Sequence, residues 1–203
     1  MKARDNPFST DRVLRIRYRP QETTWETLLE RLVALRFRAA VIGPHGTGKT
    51  TLLEALAQKL PALGFSPCYL RLNSASSRQD KRALFQRIKR LGPRDLLIFD
   101  GAEQLNGIEW LWVRWVVRHA GGLVISLHHA ARLPTFCHCT TSAALLEEIV
   151  SDLAPVARAD LDRLFEQERG NLRNVLRVLY DRYALLPDLS PADSTASPSA
   201  PTR

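Results

Sequence analysis

The sequence predicts an α/β fold: a parallel β-sheet covered on both faces by helices. Three observations carry that expectation. Short apolar runs that suit buried strands alternate with segments of helical period. One run, 95–100, is almost purely apolar, as a central parallel strand must be when both of its faces are covered. A glycine-rich octapeptide, 43–50, lies between an apolar run and a helical pattern.

In chain order, 25–35 reads as an amphipathic helix, with Leu28, Leu29, Leu32 and Leu35 at helical spacing. Ala39 to Ile42 reads as a buried strand ending at Gly43. A helix over 50–60 carries Leu52, Leu53, Leu56 and Leu60 and stops at Pro61. A second strand spans 67–72. A basic helix spans 78–91, with Leu84, Ile88 and Leu91 inward, and breaks at Gly92-Pro93. The third strand, 95–100, is followed by a helix over 104–119, a Gly121-Gly122 turn, a fourth strand over 123–127 and a fifth over 134–140. Helices over 143–150, 159–168 and 171–185 close the ordered part. Parallel strands joined by helices require right-handed crossovers. The expected domains are an α/β core over 1–152, a short helical unit over 153–186, and a Pro- and Ser-rich tail over 187–203 that buries too little apolar surface to order.

The chain of 203 residues is long enough for one core, and 45% hydrophobic with 25% charged residues excludes a fibrous or wholly disordered chain. No apolar run reaches the roughly 18–20 residues of a membrane span, and the charged N-terminus is unlike a signal peptide. The expected location is cytoplasmic. Three cysteines, Cys68, Cys137 and Cys139, are too few and too oddly spaced for a disulfide framework, and Cys137-His138-Cys139 is too tight for a zinc knuckle, so they read as strand residues.

Gly43-Pro44-His45-Gly46-Thr47-Gly48-Lys49-Thr50 fits G-x-x-x-x-G-K-[ST] at every fixed position. Glycines let successive N–H groups turn toward phosphate oxygens, and the helix that follows adds its positive N-terminal end. The phosphate-cradling set is therefore Gly43, Pro44, His45, Gly46, Thr47, Gly48, Lys49, Thr50 and Thr51. Lys49 reaches the β- and γ-phosphates, and the Thr50 hydroxyl is a hard ligand for Mg²⁺. Leu96-Leu97-Ile98-Phe99-Asp100 delivers an acid to the carboxyl edge of the sheet, where Asp100 would share the Mg²⁺ shell. The position after Asp100 is Gly101, and the next acid is Glu103. Glu103 has two readings: the base that polarises the attacking water, or a carboxylate opening the next helix. Ser126 and His128 end the fourth strand on one face. Gly170-Asn171-Leu172-Arg173 opens the last helix.

These pieces resemble the P-loop NTPases, and within them the AAA+ ATPases, over about residues 6–186. Asp-Gly-Ala-Glu at 100–103 resembles the NACHT-type arrangement, and Asn6-Pro7-Phe8 is similar to small bacterial AAA-type proteins of the secretion and transposition-helper kind. The resemblance implies a parallel αβα sandwich in strand order 5-1-4-3-2 with a short C-terminal lid. It implies ATP and Mg²⁺ as ligands and ATP hydrolysis as the activity. It places His128 (sensor 1) and Arg173 (sensor 2) toward the γ-phosphate beside Lys49, Asp100 and Glu103. Arg114, Arg118 and Arg132 are arginine-finger candidates by location only.

Two other classes stay open. One is a nucleotide-gated helper that binds DNA or protein with little turnover, which Gly101 in place of the usual Glu keeps alive. The other is a small-molecule kinase, for which no acceptor pocket is evident. The absence of an N/T-K-x-D motif favours ATP over GTP. The net charge of +8 is concentrated: residues 71–94 hold eight basic side chains and only Asp80. That segment is either a solvated helix face or a nucleic-acid contact, and Phe85 is its one interleaved aromatic. The helix around Trp110, Trp112 and Trp115 is apolar almost all round, which reads as burial on two sides or as a partner or subunit interface.

Overall fold

The computed structural model describes residues 5–16, 18–21, 23–130 and 132–185. The expected disordered tail, 187–203, lies outside the described residues. Five strands are present: β1 (Arg38–Ile42), β2 (Ser66–Arg71), β3 (Asp95–Asp100), β4 (Gly122–Leu127) and β5 (Thr135–His138). All pair in parallel, in the order β2-β3-β4-β1-β5, which is the expected 5-1-4-3-2 read from the other edge. The helices are α1 (Thr10–Val13), α2 (Trp25–Ala34), α3 (Lys49–Lys59), α4 (Arg78–Ile88), α5 (Gly107–Val116), α6 (Ala143–Ser151), α7 (Arg158–Gln167) and α8 (Leu172–Ala184). The chain therefore has the α/β P-loop fold.

The two-residue period of the strands sorts their side chains onto opposite faces. Ala39, Val41, Leu96, Ile98 and Val124 pack with α2 and α3 through Leu28, Leu32, Leu52, Leu53 and Leu56. Ala40, Ile42, Leu97, Phe99 and Ile125 pack with α4 and α5 through Leu84, Ile88, Trp110 and Val113. A third cluster joins Leu146 and Val150 of α6 to Leu161, Leu164, Leu172, Val175 and Leu179, with Phe8 inserted from the N-terminus. The expected division falls at 152/153, yet α6 shares its buried face with the helices after it. Asn6 ties this body to the chain start: its Nδ2 donates to the Tyr180 carbonyl at 2.9 Å, and Phe8 meets Tyr183 edge to face.

Local chemistry sets the boundaries. Ser77 with Asp80, and Asn106 with Glu109, form capping boxes that start α4 and α5. The second explains why α5 begins at Gly107 rather than at Gln104: residues 102–104 form a separate tight 3₁₀ turn. Gly122, expected in a turn, is the first residue of β4, and a Cβ there would lie 2.7 Å from the Phe37 carbonyl oxygen.

The tryptophan helix departs from the two-sided burial expected of it. Trp110 and Val113 are buried, but Ile108, Leu111 and Trp115 are 81%, 63% and 61% exposed. With α4 covering one side, α5 sits at the molecular surface. No helix among the described residues is long and apolar enough to cross a membrane.

Because Ile98 is fully buried in β3, an interior strand, and Ile108 is exposed, the two should respond differently to truncation. Ile98→Ala is expected to cost about 2–5 kcal/mol in urea unfolding. Ile108→Ala is expected to change stability by less than about 0.5 kcal/mol.

Candidate functional site

The site forms at the carboxyl edge of β1, β3 and β4, where the sheet order reverses between β4 and β1 crossovers. Gly43 leaves β1 with its N–H donating to the Leu127 carbonyl at 3.2 Å. A Cβ at Gly43 would lie 2.5 Å from the Cys139 carbonyl oxygen, so the loop needs glycine to pass beside the end of β5. Gly46 and Gly48 hold left-handed conformations, and Gly48 opens α3 with no side-chain cap. The first N–H groups of α3 thus face the loop, as an anion site requires.

Lys49 is buried, and its ammonium donates to the carbonyls of Gly43 (2.6 Å) and Pro44 (2.7 Å). Burial holds its pKa below the ordinary lysine value. Thr47 Oγ1 donates to the Pro44 carbonyl at 3.0 Å and stiffens the loop from within. Thr51 lies in the first turn of α3.

Asp100 is buried and has four partners. Its Oδ2 accepts from Thr50 Oγ1 at 2.8 Å and from the Tyr69 hydroxyl at 3.3 Å, and lies 3.5 Å from Arg71 Nε. Its Oδ1 accepts from Ser126 Oγ at 2.7 Å, while that same Oγ accepts the Gly101 N–H at 2.7 Å. Ser126 therefore orients the carboxylate from beneath, and only His128 of the expected pair lies next to Lys49. Thr50 and Asp100 present the paired hard oxygens that suit a Mg²⁺ shell completed by water and phosphate.

Glu103 lies on the tight turn after Asp100. Its Oε1 is 3.1 Å from His128 Nε2, while its Oε2 is buried with no hydrogen-bond partner. His128 Nδ1 is 3.4 Å from both Lys49 Nζ and the Gly43 carbonyl oxygen. Glu103, His128 and Lys49 form one chain of contacts. His45 stacks on His128 with ring centroids 3.9 Å apart, and the neighbouring imidazole lowers the His45 pKa.

The last helix closes over the loop. Asn171 caps α8 and lies so near Gly46 that a Cβ there would fall 1.9 Å from its Oδ1. Thr141 fixes the adjoining turn by donating to the Gly170 carbonyl at 2.8 Å. Arg173 is exposed and lies in the first turn of α8, two residues after the Asn171 that approaches the loop.

Arg132 is not free to act as an arginine finger. It donates to the Ala102 and Leu105 carbonyls at 2.6 and 2.7 Å and lies over the Trp110 ring. The basic segment also divides. Arg71 turns to Asp100, and Lys81 pairs with Glu109, whereas Arg82, Arg87, Lys89, Arg90 and Arg94 are exposed.

Tyr69, Arg71, Asn171 and Tyr18 were not assigned to the site from sequence. The pairing of Arg71 with Asp100 in the β2–β3 register is the signal for the first two, since alternation puts Tyr69 on the same face. Tyr18 has no such signal. Its ring lies 3.8 Å from where a Gly48 Cβ would sit, beside a cleft of about 760 Å³ lined by Arg15, Ile16, Trp25 and Leu153.

Comparison with known proteins agrees with the fold. Residues 39–110 match a family model described as ATPase family associated with various cellular activities (AAA). No curated protein matches the sequence. Among matching solved structures is a replication initiator, DnaA, bound to AMPPCP and single-stranded DNA, with a TM-score of 0.57 and 16% identity. The match covers 83% of this chain and 63% of that one, so this chain spans less than two thirds of its neighbour.

Gly101 explains why no glutamate follows Asp100 directly. Its φ is +86°, and a Cβ would sit 2.0 Å from the Leu72 carbonyl oxygen. Gly101→Ala is expected to cost about 1–3 kcal/mol, lowering the thermal midpoint by several degrees in a circular-dichroism melt, and Gly101→Glu should do no better.

Proposed function

We propose that this protein binds ATP and hydrolyses it to ADP and phosphate with Mg²⁺. The observation that carries the reading is the convergence at one sheet edge of Lys49, the Thr50–Asp100 pair and a glutamate with a buried, unpartnered oxygen. The loop N–H groups and Lys49 hold the β- and γ-phosphates, with phosphate oxygens replacing the Gly43 and Pro44 carbonyls on the ammonium. Thr50 and Asp100 would hold Mg²⁺, which would neutralise charge on the phosphates. Ser126, Tyr69 and Arg71 keep Asp100 oriented. Glu103 Oε2 accepts a proton from water as the water oxygen attacks the γ-phosphorus and the bond to the β–γ bridging oxygen breaks. His128 holds the other oxygen of that carboxylate, and Arg173 adds positive charge toward the γ-phosphate from the lid. The base and ribose lie against Tyr18 and Trp25 in the cleft beside Gly48. We assign the lid to α6–α8, on the strength of their shared buried face.

A second reading is a nucleotide-gated helper with little turnover. The observation that favours it is that Lys49 and Glu103 are both engaged by groups of the protein itself, the loop carbonyls and His128. In this reading nucleotide binding would be coupled to a partner. Nucleic acid is the first partner class to test, given the basic segment over 71–94 and the single-stranded DNA held by the structural neighbour.

The test is ATP binding and turnover by the purified chain. Wild type is expected to hydrolyse ATP, and chelating Mg²⁺ to abolish turnover. Lys49→Ala should lose ATP binding. Glu103→Gln should retain binding while kcat falls by about 100-fold or more. If wild type binds ATP tightly yet gives no ADP in a single turnover, with or without DNA, the helper reading replaces the hydrolase.

A further inference from the structure

The strongest unexplained surface is the outer side of α5 where it meets the end of α4. Ile108, Leu111 and Trp115 form an exposed stripe at helical spacing. Toward the C-terminal end of α5 the stripe opens into a cleft of about 420 Å³ lined by Lys89, Trp112, Trp115, Val116, Arg118 and His119. The cleft is aromatic and cationic at once. The Arg118 guanidinium lies 4.6 Å from the Trp115 ring centroid, and Lys89 Nζ is 5.9 Å from that of Trp112. Phe85 of α4 packs against Trp112 at 4.9 Å and fixes its plane. Among the described residues, no carboxylate pairs with Lys89, Arg114 or Arg118.

The sequence alone shows one aromatic within the basic segment. Folding supplies more, because α5 brings Trp112 and Trp115 beside it. A flat π-face flanked by permanent cations is the chemistry that single-stranded nucleic acid requires: bases stack on the rings while phosphates meet Lys and Arg. A duplex hides its base faces and cannot use Trp115 in this way. A second copy of this chain is disfavoured, since a net charge of +8 would set one cationic cleft against another cationic surface.

We propose that the α4–α5 cleft is a single-strand nucleic-acid site. In it a base stacks on Trp115, with Arg118 on that ring and Lys89 and Arg114 taking neighbouring phosphates. The proposal rests on the nucleic-acid part of the functional reading and not on ATP turnover. None of its residues belongs to the nucleotide site.

The test is fluorescence anisotropy of a labelled 20-nucleotide oligo(dT), titrated with the full chain with and without ATP. Quenching of tryptophan emission is recorded alongside. Oligo(dT) should bind more tightly than a duplex of equal length and should quench emission. Trp115→Ala should weaken binding about tenfold, and Trp115→Phe should restore most of it. Lys89→Ala and Arg114→Ala should each reduce the slope of log affinity against log salt by about 0.7. Circular-dichroism melts should confirm that these surface variants fold. If oligo(dT) binds but Trp115→Ala changes nothing, the site is elsewhere and only this proposal fails. If neither oligo(dT) nor duplex binds at low salt, the nucleic-acid reading fails with it. If poly-glutamate binds in a Trp115-dependent way and oligo(dT) does not, the cleft receives an acidic protein segment and the proposal is overturned.

Discussion

The arrangement of this molecule turns on one buried carboxylate. Asp100 sits at the end of an interior strand, β3, where an isolated charge would be strongly disfavoured. It is accommodated because three neighbouring elements converge on it: Thr50 from the helix after β1, Tyr69 and Arg71 from β2, and Ser126 from β4. Each partner fixes the register of the element that carries it. The carboxylate is thus both the candidate metal ligand and the tie that aligns the edge of the sheet. A residue that served only one of these roles could be exchanged more freely.

What could be read from the sequence was whatever physical chemistry confines to neighbouring residues. The phosphate loop is legible because its glycines, lysine and threonine act through local backbone geometry. Strand order was not derivable from periodicity. It came from family resemblance, and the parallel pairing of β1 with β4 and β5 agrees with it. The start of α5 was misjudged because a helical pattern cannot show that Asn106 and Glu109 cap one another three residues later than the apolar signal begins. Two-sided burial of that helix was misjudged for a different reason. Periodicity reports which faces are apolar, not whether any element arrives to cover them. Tyr18 carries no such local signal, and Asn171 stands in a motif whose approach to Gly46 is a long-range meeting of chain segments that no local pattern encodes.

Gly101 shows how one backbone position decides where the next side chain can stand. Its left-handed conformation and the Leu72 carbonyl beside it leave no space for a side chain. The first acid that can follow Asp100 is therefore Glu103, on the next turn, which is the residue proposed as the base. That position brings its carboxylate to His128, and through it to Lys49, so that the proposed base, sensor and phosphate-binding lysine form a continuous set.

That turn is also held from outside. Arg132 clasps the carbonyls on either side of Glu103, those of Ala102 and Leu105, and lies over Trp110 at the beginning of α5. The backbone beneath the glutamate is therefore a bracket with both ends pinned. Any exchange of Glu103 between His128 and a water must occur by rotation of its own side chain. Rotamer changes are intrinsically many orders of magnitude faster than the rearrangement of a loop. In this protein the clock that limits a catalytic cycle would then run in the larger movements around the site, not in the repositioning of its base.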